Sequence, residues 1–292
     1  MKKIFRVPAT TANLGPGFDS FGCALGIYNT YTVETGGNDL EITGCPEKYR
    51  DEHNLTVRAY RSVLDEVRIP FSGLKLHIES DIPVSRGLGS SAAMITAGVF
   101  AANEAVGKPF SPQDLLRIAT RLEGHPDNLA PAFFGGLTAC LTENGIPHAA
   151  RYTPAPTLRF IVCIPDFELS TAKARQALPK TVPFSDAVYN VGHAALLLKG
   201  LESGDPALIR TALKDKLHQP YRIPLIPGYD VVREAALNAG ALGFCISGAG
   251  PTLLALTDDE TFGDRLRAAL TTSAPGWTVL CPAIDREGIQ IL

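Results

Sequence analysis

Hydrophobic and polar residues alternate along the chain with two periods, and the shorter period indicates strands. Residues 27–34 alternate between two faces, with Tyr28, Thr30 and Thr32 on one of them. Residues 159–165 form a run with a high β propensity. Both patterns are typical of strands. The sequence therefore predicts strands at residues 3–8, 27–34, 40–43, 74–80, 159–165, 243–247, 252–256 and 277–281.

The longer period, in which apolar residues recur every three or four positions, indicates helices. After Asn54, the side chains of Leu55 and Ala59 share one face, and the Asn54 amide is suited to cap the helix that they begin. Ser111 and Pro112 begin another helix as its cap and first residue. The other predicted helices cover residues 91–106, 170–178, 185–201, 205–213, 229–239 and 261–270, and the helix after Asn54 extends to about residue 67.

Strands and helices are mixed in both halves of the chain, which predicts an α+β protein. The chain has 292 residues, enough for two ordinary domains with proper cores. The segment 138–156 is polar and rich in proline, so we expect the chain to cross there between domains. The predicted domains are residues 1–153 at the N-terminus and residues 154–292 at the C-terminus.

Charge and composition exclude several classes of partner. The net charge is −3 and Lys and Arg are scattered singly, which argues against binding to nucleic acid. No apolar run approaches the length of a membrane span, and Arg6 and Pro8 interrupt what would be the core of a signal peptide. The six cysteines are widely spaced and contain no C-x-x-C pair, which predicts reduced thiols in a cytoplasmic protein.

The clearest candidate for chemistry lies between the strand at 74–80 and the helix at 91–106. It reads Pro83-Val84-Ser85-Arg86-Gly87-Leu88-Gly89-Ser90-Ser91-Ala92-Ala93. The two glycines let the backbone take a positive φ and approach a ligand, and the N–H groups of the helix start favour an anion. The two serines add hydroxyls that can reach phosphate or Mg²⁺. A glycine turn with a serine cap is the structural alternative, but the combination of features favours phosphate binding.

This stretch resembles the second motif of the GHMP kinases, which reads Pro-x-x-x-Gly-Leu-Gly-Ser-Ser-Ala. Residues 7–19 and 246–252 are similar to the first and third motifs of that family, in the same order; they read Val-Pro-Ala-Thr-Thr-Ala-Asn-Leu-Gly-Pro-Gly-Phe-Asp and Ile-Ser-Gly-Ala-Gly-Pro-Thr. The resemblance covers almost the whole chain. It implies an N-terminal domain like the second domain of ribosomal S5 proteins and a ferredoxin-like C-terminal domain, with the active site between them. It also implies ATP and Mg²⁺ as cofactors, and a homodimer.

The resemblance implies roles for single residues around the phosphates. Ser91 and Glu123 would hold Mg²⁺, which takes one or two oxygen ligands from protein. Asn54 would contact the nucleotide as well as cap its helix. Gly248 and Gly250 belong to the third motif. They would support residues 83–93, the predicted phosphate loop.

The resemblance also bears on how the proton is handled. Asn128 stands where mevalonate-type relatives carry an aspartate, and an amide has no useful proton affinity near neutral pH. This implies transfer without a side-chain base, in which the hydroxyl passes its proton late to a phosphate oxygen. Asp127 stays open as the base, and His125 is a weaker candidate.

Within the family the chain resembles the homoserine kinases most, which implies phosphorylation of the side-chain hydroxyl of L-homoserine in threonine biosynthesis. Asn13, Asp19 and Asn128 would hold the ammonium and hydroxyl end of this substrate. Arg175 and Arg222 would grip its carboxylate, and we predict that they converge although they are far apart in sequence. One alternative is a GHMP kinase acting on a neutral sugar or isoprenoid alcohol, which would give the arginines no carboxylate. The other is a non-catalytic, metabolite-binding member of the fold.

Overall fold

The computed structural model describes residues 2–292, in which helices pack against two β-sheets. The strands are β1 (Lys2–Ala12), β2 (Phe21–Glu34), β3 (Leu40–Thr43), β4 (Leu74–Ser80), β5 (Leu137–Glu143), β6 (Ile146–Tyr152), β7 (Arg159–Pro165), β8 (Gly243–Ile246), β9 (Leu253–Thr257), β10 (Trp277–Leu280) and β11 (Gln290–Ile291). The helices are α1 (Leu55–Glu66), α2 (Ser90–Ala105), α3 (Pro112–Glu123), α4 (Leu129–Phe134), α5 (Thr171–Gln176), α6 (Phe184–Ser203), α7 (Pro206–Ala212), α8 (Gln219–Arg222), α9 (Tyr229–Asn238) and α10 (Phe262–Ser273).

The first sheet has the strand order β11-β1-β2-β4-β3, and the β5–β6 hairpin joins it through β2. The second sheet has the order β10-β7-β9-β8. β1 is longer than the predicted strand 3–8, because its pairing with β2 continues to Ala12 after a register shift between Pro8 and Ala9. The first motif is therefore a strand as far as Ala12, and its loop begins only at Asn13.

The two sheets share one continuous core. Along β7, Phe160 and Val162 belong to the large apolar cluster that also contains residues of β1, β2 and α2. The alternate residues Ile161 and Cys163 face a smaller cluster formed with α9 and α10. The second sheet is thus covered on both faces. Apolar packing across the two halves holds their loops in fixed relative positions.

The chain crosses between the sheets near the end of the segment 138–156, where the crossing was expected. Most of the segment 138–156 is the β5–β6 hairpin, and residues 153–158 make the connection to β7. The end of the chain then returns to the first sheet, where Ile284 bridges to Leu25 and β11 pairs with β1. The first sheet is therefore completed by the last residues of the chain.

All six cysteines are free thiols. Burial raises the pKa of Cys163 and of Cys245 to about 12, so these thiols stay protonated and unreactive. Among residues 2–292, no helix combines the length and the apolar character needed to cross a bilayer.

Candidate active site

A cavity of about 430 Å³ lies between the phosphate loop and the elements that follow β7. Its wall includes residues of all three motifs. The predicted site residues on this wall are Asn13, Asp19, Asn54, Val84, Ser85, Arg86, Gly87, Gly89, Ser90, Ser91, Glu123, Asp127, Asn128, Arg175, Arg222 and Gly248. The structure therefore brings Arg175 and Arg222 to one cavity, as the sequence predicted.

The phosphate loop requires glycine at two positions. Gly87 and Gly89 have φ values of 76° and 69°. A Cβ on Gly87 would lie 2.4 Å from the Ser247 carbonyl oxygen, and a Cβ on Gly89 would lie 1.9 Å from Thr10 Oγ1. The loop thus runs tightly over β1 and the third motif. Gly89 is also the residue before α2, so the unpaired N–H groups of the first helical turn follow it at the cavity wall.

The remaining residues of the loop divide between cavity and core. Leu88, Ala92 and Ala93 are fully buried in the large apolar cluster, so their side chains anchor the loop. Arg86 lines the cavity, but its Nε and Nη2 donate to the carbonyls of Pro165 and Asp166, at 3.1 and 2.9 Å. This side chain ties the loop to the end of β7, a contact that nothing in the sequence around Arg86 indicated.

The third motif contacts both other motifs. Ser247 Oγ donates to the Gly87 carbonyl oxygen at 2.7 Å. Asn13 Nδ2 donates to the Gly248 carbonyl oxygen at 2.7 Å, while Asn13 Oδ1 accepts from the Asp19 N–H at 2.9 Å. Gly250 lies outside the cavity wall and packs against Ile226, with φ at 85°. Asn13 therefore fixes the backbone of Asp19 to the third motif.

Ser91 and Glu123 form the candidate metal position. Ser91 Oγ donates to Glu123 Oε1 at 2.5 Å. The two oxygens are therefore close enough to bind the same ion. Burial raises the pKa of Glu123, and the Ser91 hydrogen bond opposes that rise. Residues 2–292 contain no group of three or more His, Cys, Asp or Glu side chains that could enclose a metal. The donor set fits Mg²⁺, which keeps waters and phosphate oxygens as its other ligands.

Asp127 is the centre of a polar network at the cavity wall. It is 2% exposed, and its Oδ1 accepts from the Asn128 N–H at 2.9 Å and lies 2.9 Å from His125 Nδ1. Burial alone would lower the pKa of His125, but the hydrogen bond to Asp127 and the nearby carboxylates, Asp19 and Glu123 among them, raise it overall. Asn128 Nδ2 donates to the same Asp127 oxygen at 3.3 Å, and Thr10 Oγ1 donates to Asn128 Oδ1 at 2.9 Å.

A neighbouring part of the wall carries charges of both signs. Arg175 makes a two-pronged hydrogen bond to Asp19, at 2.8 and 3.0 Å. Arg222 is 1% exposed, and its described hydrogen bonds reach the carbonyls of Ala174 and Gly248 and the ring of His218, but no carboxylate. Burial first, and then the charge of Arg175, lowers the pKa of Arg222. A buried guanidinium in this setting is suited to bind an anion.

An aromatic platform supports both arginines and was not foreseen. The Cζ atom of Arg175 lies 5.6 Å from the centroid of the Phe18 ring, and the Cζ atom of Arg222 lies 5.1 Å from it. His218 stacks on the same ring at 5.1 Å and lies 2.9 Å from the Gly15 carbonyl oxygen through Nε2. Burial lowers the pKa of His218, so its ring is neutral. An aromatic residue beside Asp19 in the first motif was the only signal in the sequence.

Asn54 lies at the rim of the cavity, with Tyr49 and His53. Its Oδ1 accepts from the Thr56 N–H at 2.9 Å, which confirms the predicted cap of α1. Its Nδ2 donates to the Tyr49 carbonyl oxygen at 2.8 Å. The amide thus shapes the rim, and its contact with a nucleotide stays a prediction.

Comparison with known proteins identifies the family of the chain. Residues 54–136 match the family model described as GHMP kinases N terminal domain, and residues 197–275 match the one described as GHMP kinases C terminal. A homoserine kinase of Clostridium botulinum (strain Okra / Type B1) is 42% identical over 288 residues, which cover 98% of this chain and 97% of that protein. The chain belongs to the GHMP kinase family.

Other GHMP kinases give the same result. A homoserine kinase of Clostridium beijerinckii is 41% identical over 290 residues, covering 98% of this chain and 97% of that protein. The crystal structure of a homoserine kinase from Cytophaga hutchinsonii superposes with a TM-score of 0.89 at 30% identity, covering 100% of this chain and 97% of that one. The predicted family and its two-domain α+β architecture are therefore confirmed. As a GHMP kinase the protein uses ATP and acts on a small molecule.

Proposed function

We propose that this GHMP kinase transfers the γ-phosphoryl group of ATP to the side-chain hydroxyl of L-homoserine, giving O-phospho-L-homoserine for threonine biosynthesis. The observation that carries the proposal is the charge arrangement in the cavity. The phosphate loop lies at one part of the wall, and Asp19, Arg175 and Arg222 lie together at another. The similarity to homoserine kinases at 42% and 41% identity supports it.

An α-amino acid carries an ammonium and a carboxylate on the same carbon, so it needs adjacent protein groups of opposite charge. Asp19 and Arg175 lie 2.8 Å apart and supply such a pair. Arg222 adds a second guanidinium, which is buried and hydrogen-bonds to no carboxylate. An incoming anion would therefore stabilise its charge. A neutral sugar or isoprenoid alcohol would leave Arg222 without a directly bound anion, with only the more distant charges of Asp19, Asp127 and Asp215 to offset it. The buried Arg222 therefore favours an amino acid over the neutral alternatives.

The phosphate end supplies backbone N–H groups and charge neutralisation. The first turn of α2 and the glycine backbone would hold phosphate oxygens. Ser91 and Glu123 would hold Mg²⁺, which when bound neutralises charge on the phosphates. The raised pKa of Glu123 fits this role, because a cation would stabilise the ionised carboxylate that burial disfavours.

Asn128 lines the cavity beside this end and would align the substrate hydroxyl. The hydroxyl oxygen attacks the γ-phosphorus as the bond to the β,γ-bridging oxygen breaks, and ADP leaves with that electron pair. The hydroxyl proton passes to a phosphoryl oxygen, since an amide does not take it. Asp127 remains the rival base in this scheme, although its Oδ1 is engaged by Asn128 and His125.

A substrate panel tests the proposal. Purified protein with Mg²⁺-ATP is offered L-homoserine, 4-hydroxybutanoate, 3-amino-1-propanol, mevalonate and galactose, and ADP release and product mass are measured. We expect turnover with L-homoserine far above the rest. Preference for mevalonate or galactose would support a different GHMP substrate. ATP binding without turnover of any compound would support a non-catalytic member.

We also propose that the protein is a cytoplasmic homodimer, which the family resemblance favours. The longest helix, α6, exposes an apolar stripe that includes Phe184, Val188 and Val191, at 85%, 56% and 72% exposure. Such a face is suited to a protein interface. Sedimentation velocity should show a dimer that Val191→Glu converts to monomer, whereas a wild-type monomer would contradict this.

A further inference from the structure

Thr10 lies where β1 passes under the phosphate loop, and it contacts two parts of the candidate site. Its side chain is fully buried. Its N–H donates to the Leu88 carbonyl oxygen at 3.1 Å, and its Oγ1 occupies the space that a Cβ on Gly89 would need. The same Oγ1 donates to Asn128 Oδ1 at 2.9 Å. Thr10 is thus the link between the phosphate loop and the residue that aligns the hydroxyl.

Asp127 and Thr10 together determine which end of the Asn128 amide faces which neighbour. Asp127 is a carboxylate and only accepts hydrogen bonds, so the amide nitrogen must face it, at 3.3 Å. The amide oxygen is then left to Thr10, whose hydroxyl donates to it. An amide nitrogen carries two hydrogens, and Asp127 takes only one of them. The second is available to a ligand in the cavity that Asn128 lines.

We propose that Thr10 is a positioning residue, which holds the Asn128 amide so that its nitrogen donates to the oxygen of the substrate hydroxyl. This rests on the proposed function. A donor at that oxygen leaves the hydroxyl hydrogen free to point at a phosphoryl oxygen, which receives the proton during transfer. If the amide were reversed, its carbonyl oxygen would accept that hydrogen and turn it away from the phosphate.

Serine and alanine at position 10 differ only by the hydroxyl, and neither crowds Gly89. We expect Thr10→Ser to retain kcat within about threefold, and Thr10→Ala to lose about tenfold to a hundredfold in kcat, with the KM for L-homoserine changed much less. Thr257 is the matched control, because it is fully buried, ends β9 and accepts from the Asp259 N–H at 3.1 Å. Thr257→Ser and Thr257→Ala should have equal kcat.

Two results would overturn the inference. One is equal kcat for Thr10→Ser and Thr10→Ala. The other is a difference in kcat between Thr10→Ser and Thr10→Ala that persists in an Asn128→Ala background, because Thr10 would then act through the phosphate loop.

If the wild type fails to phosphorylate L-homoserine, the proposed function fails, but Thr10 can still be tested. The side-chain amide resonances of Asn128, assigned by their loss in Asn128→Ala, should shift in Thr10→Ala and stay in place in Thr10→Ser and Thr257→Ala. Unshifted resonances in Thr10→Ala would contradict the contact.

Discussion

The two ends of the cavity are built in different ways. The phosphate end comes from one continuous stretch, residues 83–93, together with Glu123, and it offers mainly backbone N–H groups. The amino-acid end takes Asp19 from the loop after β1, Arg175 from α5 and Arg222 from α8. The first end would bind phosphate through local geometry, and the second would bind the amino acid through charges that only the tertiary fold brings together. Mutations should therefore damage kcat at one end and substrate KM at the other.

The largest effect should come from the candidate metal position. Glu123→Gln and Ser91→Ala should each lower kcat by about 100-fold or more, because charge on the transferring phosphoryl group loses its stabilisation. Helix α2 should stay folded in Ser91→Ala, since alanine suits a first helical turn. Coupled ADP-release kinetics across a Mg²⁺ titration provide the measurement. Ser62→Ala on α1 is the control, and variants with unchanged kcat would remove these residues from the site.

Next in size should be the change at Arg222. Arg222→Ala should raise the KM for L-homoserine by about tenfold to a hundredfold and leave the KM for ATP nearly unchanged, because a charge-assisted bond to the carboxylate is lost. Arg175→Ala should cost less, since Arg175 is more exposed and already pairs with Asp19. Arg222→Lys should recover part of the loss. Equal damage to both KM values would indicate a structural role instead.

A smaller effect on kcat is expected for Asp127→Asn. Without a side-chain base, this variant should lose less than the ~100-fold typical of a deleted general base, and the loss should come from the misplaced Asn128 amide. The pH dependence of kcat should have the same shape in the wild type, in Asp127→Asn and in His125→Ala. A loss of several thousandfold, on the order of that for an essential catalytic group, with L-homoserine binding intact, would make Asp127 the base.

The smallest effect should be at Asn54, on the rim of the phosphate end. Asn54→Ala removes the cap of α1 and should lower the free energy of unfolding by about 1 kcal/mol, with the KM for ATP changed by less than about threefold. Asn54→Asp should keep part of the stability, since its carboxylate still accepts from the Thr56 N–H but cannot donate to the Tyr49 carbonyl oxygen. Thermal unfolding and ATP titrations measure both. A large rise in the KM for ATP at unchanged stability would show direct contact with the nucleotide.

The difference between the two ends also explains what the sequence could predict. The caps at Asn54 and Ser111 and the strand Leu74–Ser80 were placed to the residue, because each depends on neighbours in sequence. The phosphate loop was found for the same reason. Helices α4 and α8 were missed, since six and four residues are too short to show a period and each contains a proline.

Residues that act through distant contacts gave no such signal. Phe18, Thr10 and His218 were given no role from the sequence, although Phe18 and Thr10 lie within the first motif, because their roles depend on partners more than 100 positions away. The arginines could be proposed only through the resemblance to homoserine kinases. Their meeting at one cavity required the shared core that fixes the two halves.

The most direct test of the account pairs a change in the substrate with a change in the enzyme. L-homoserine and 3-amino-1-propanol differ only by the carboxylate, and kcat/KM is measured for both with the wild type and with Arg222→Ala. If Arg222 binds the carboxylate, the preference of the wild type for L-homoserine should fall at least about tenfold in the variant, while kcat/KM for 3-amino-1-propanol changes little. An unchanged preference would contradict the assignment of this end of the cavity to an amino acid.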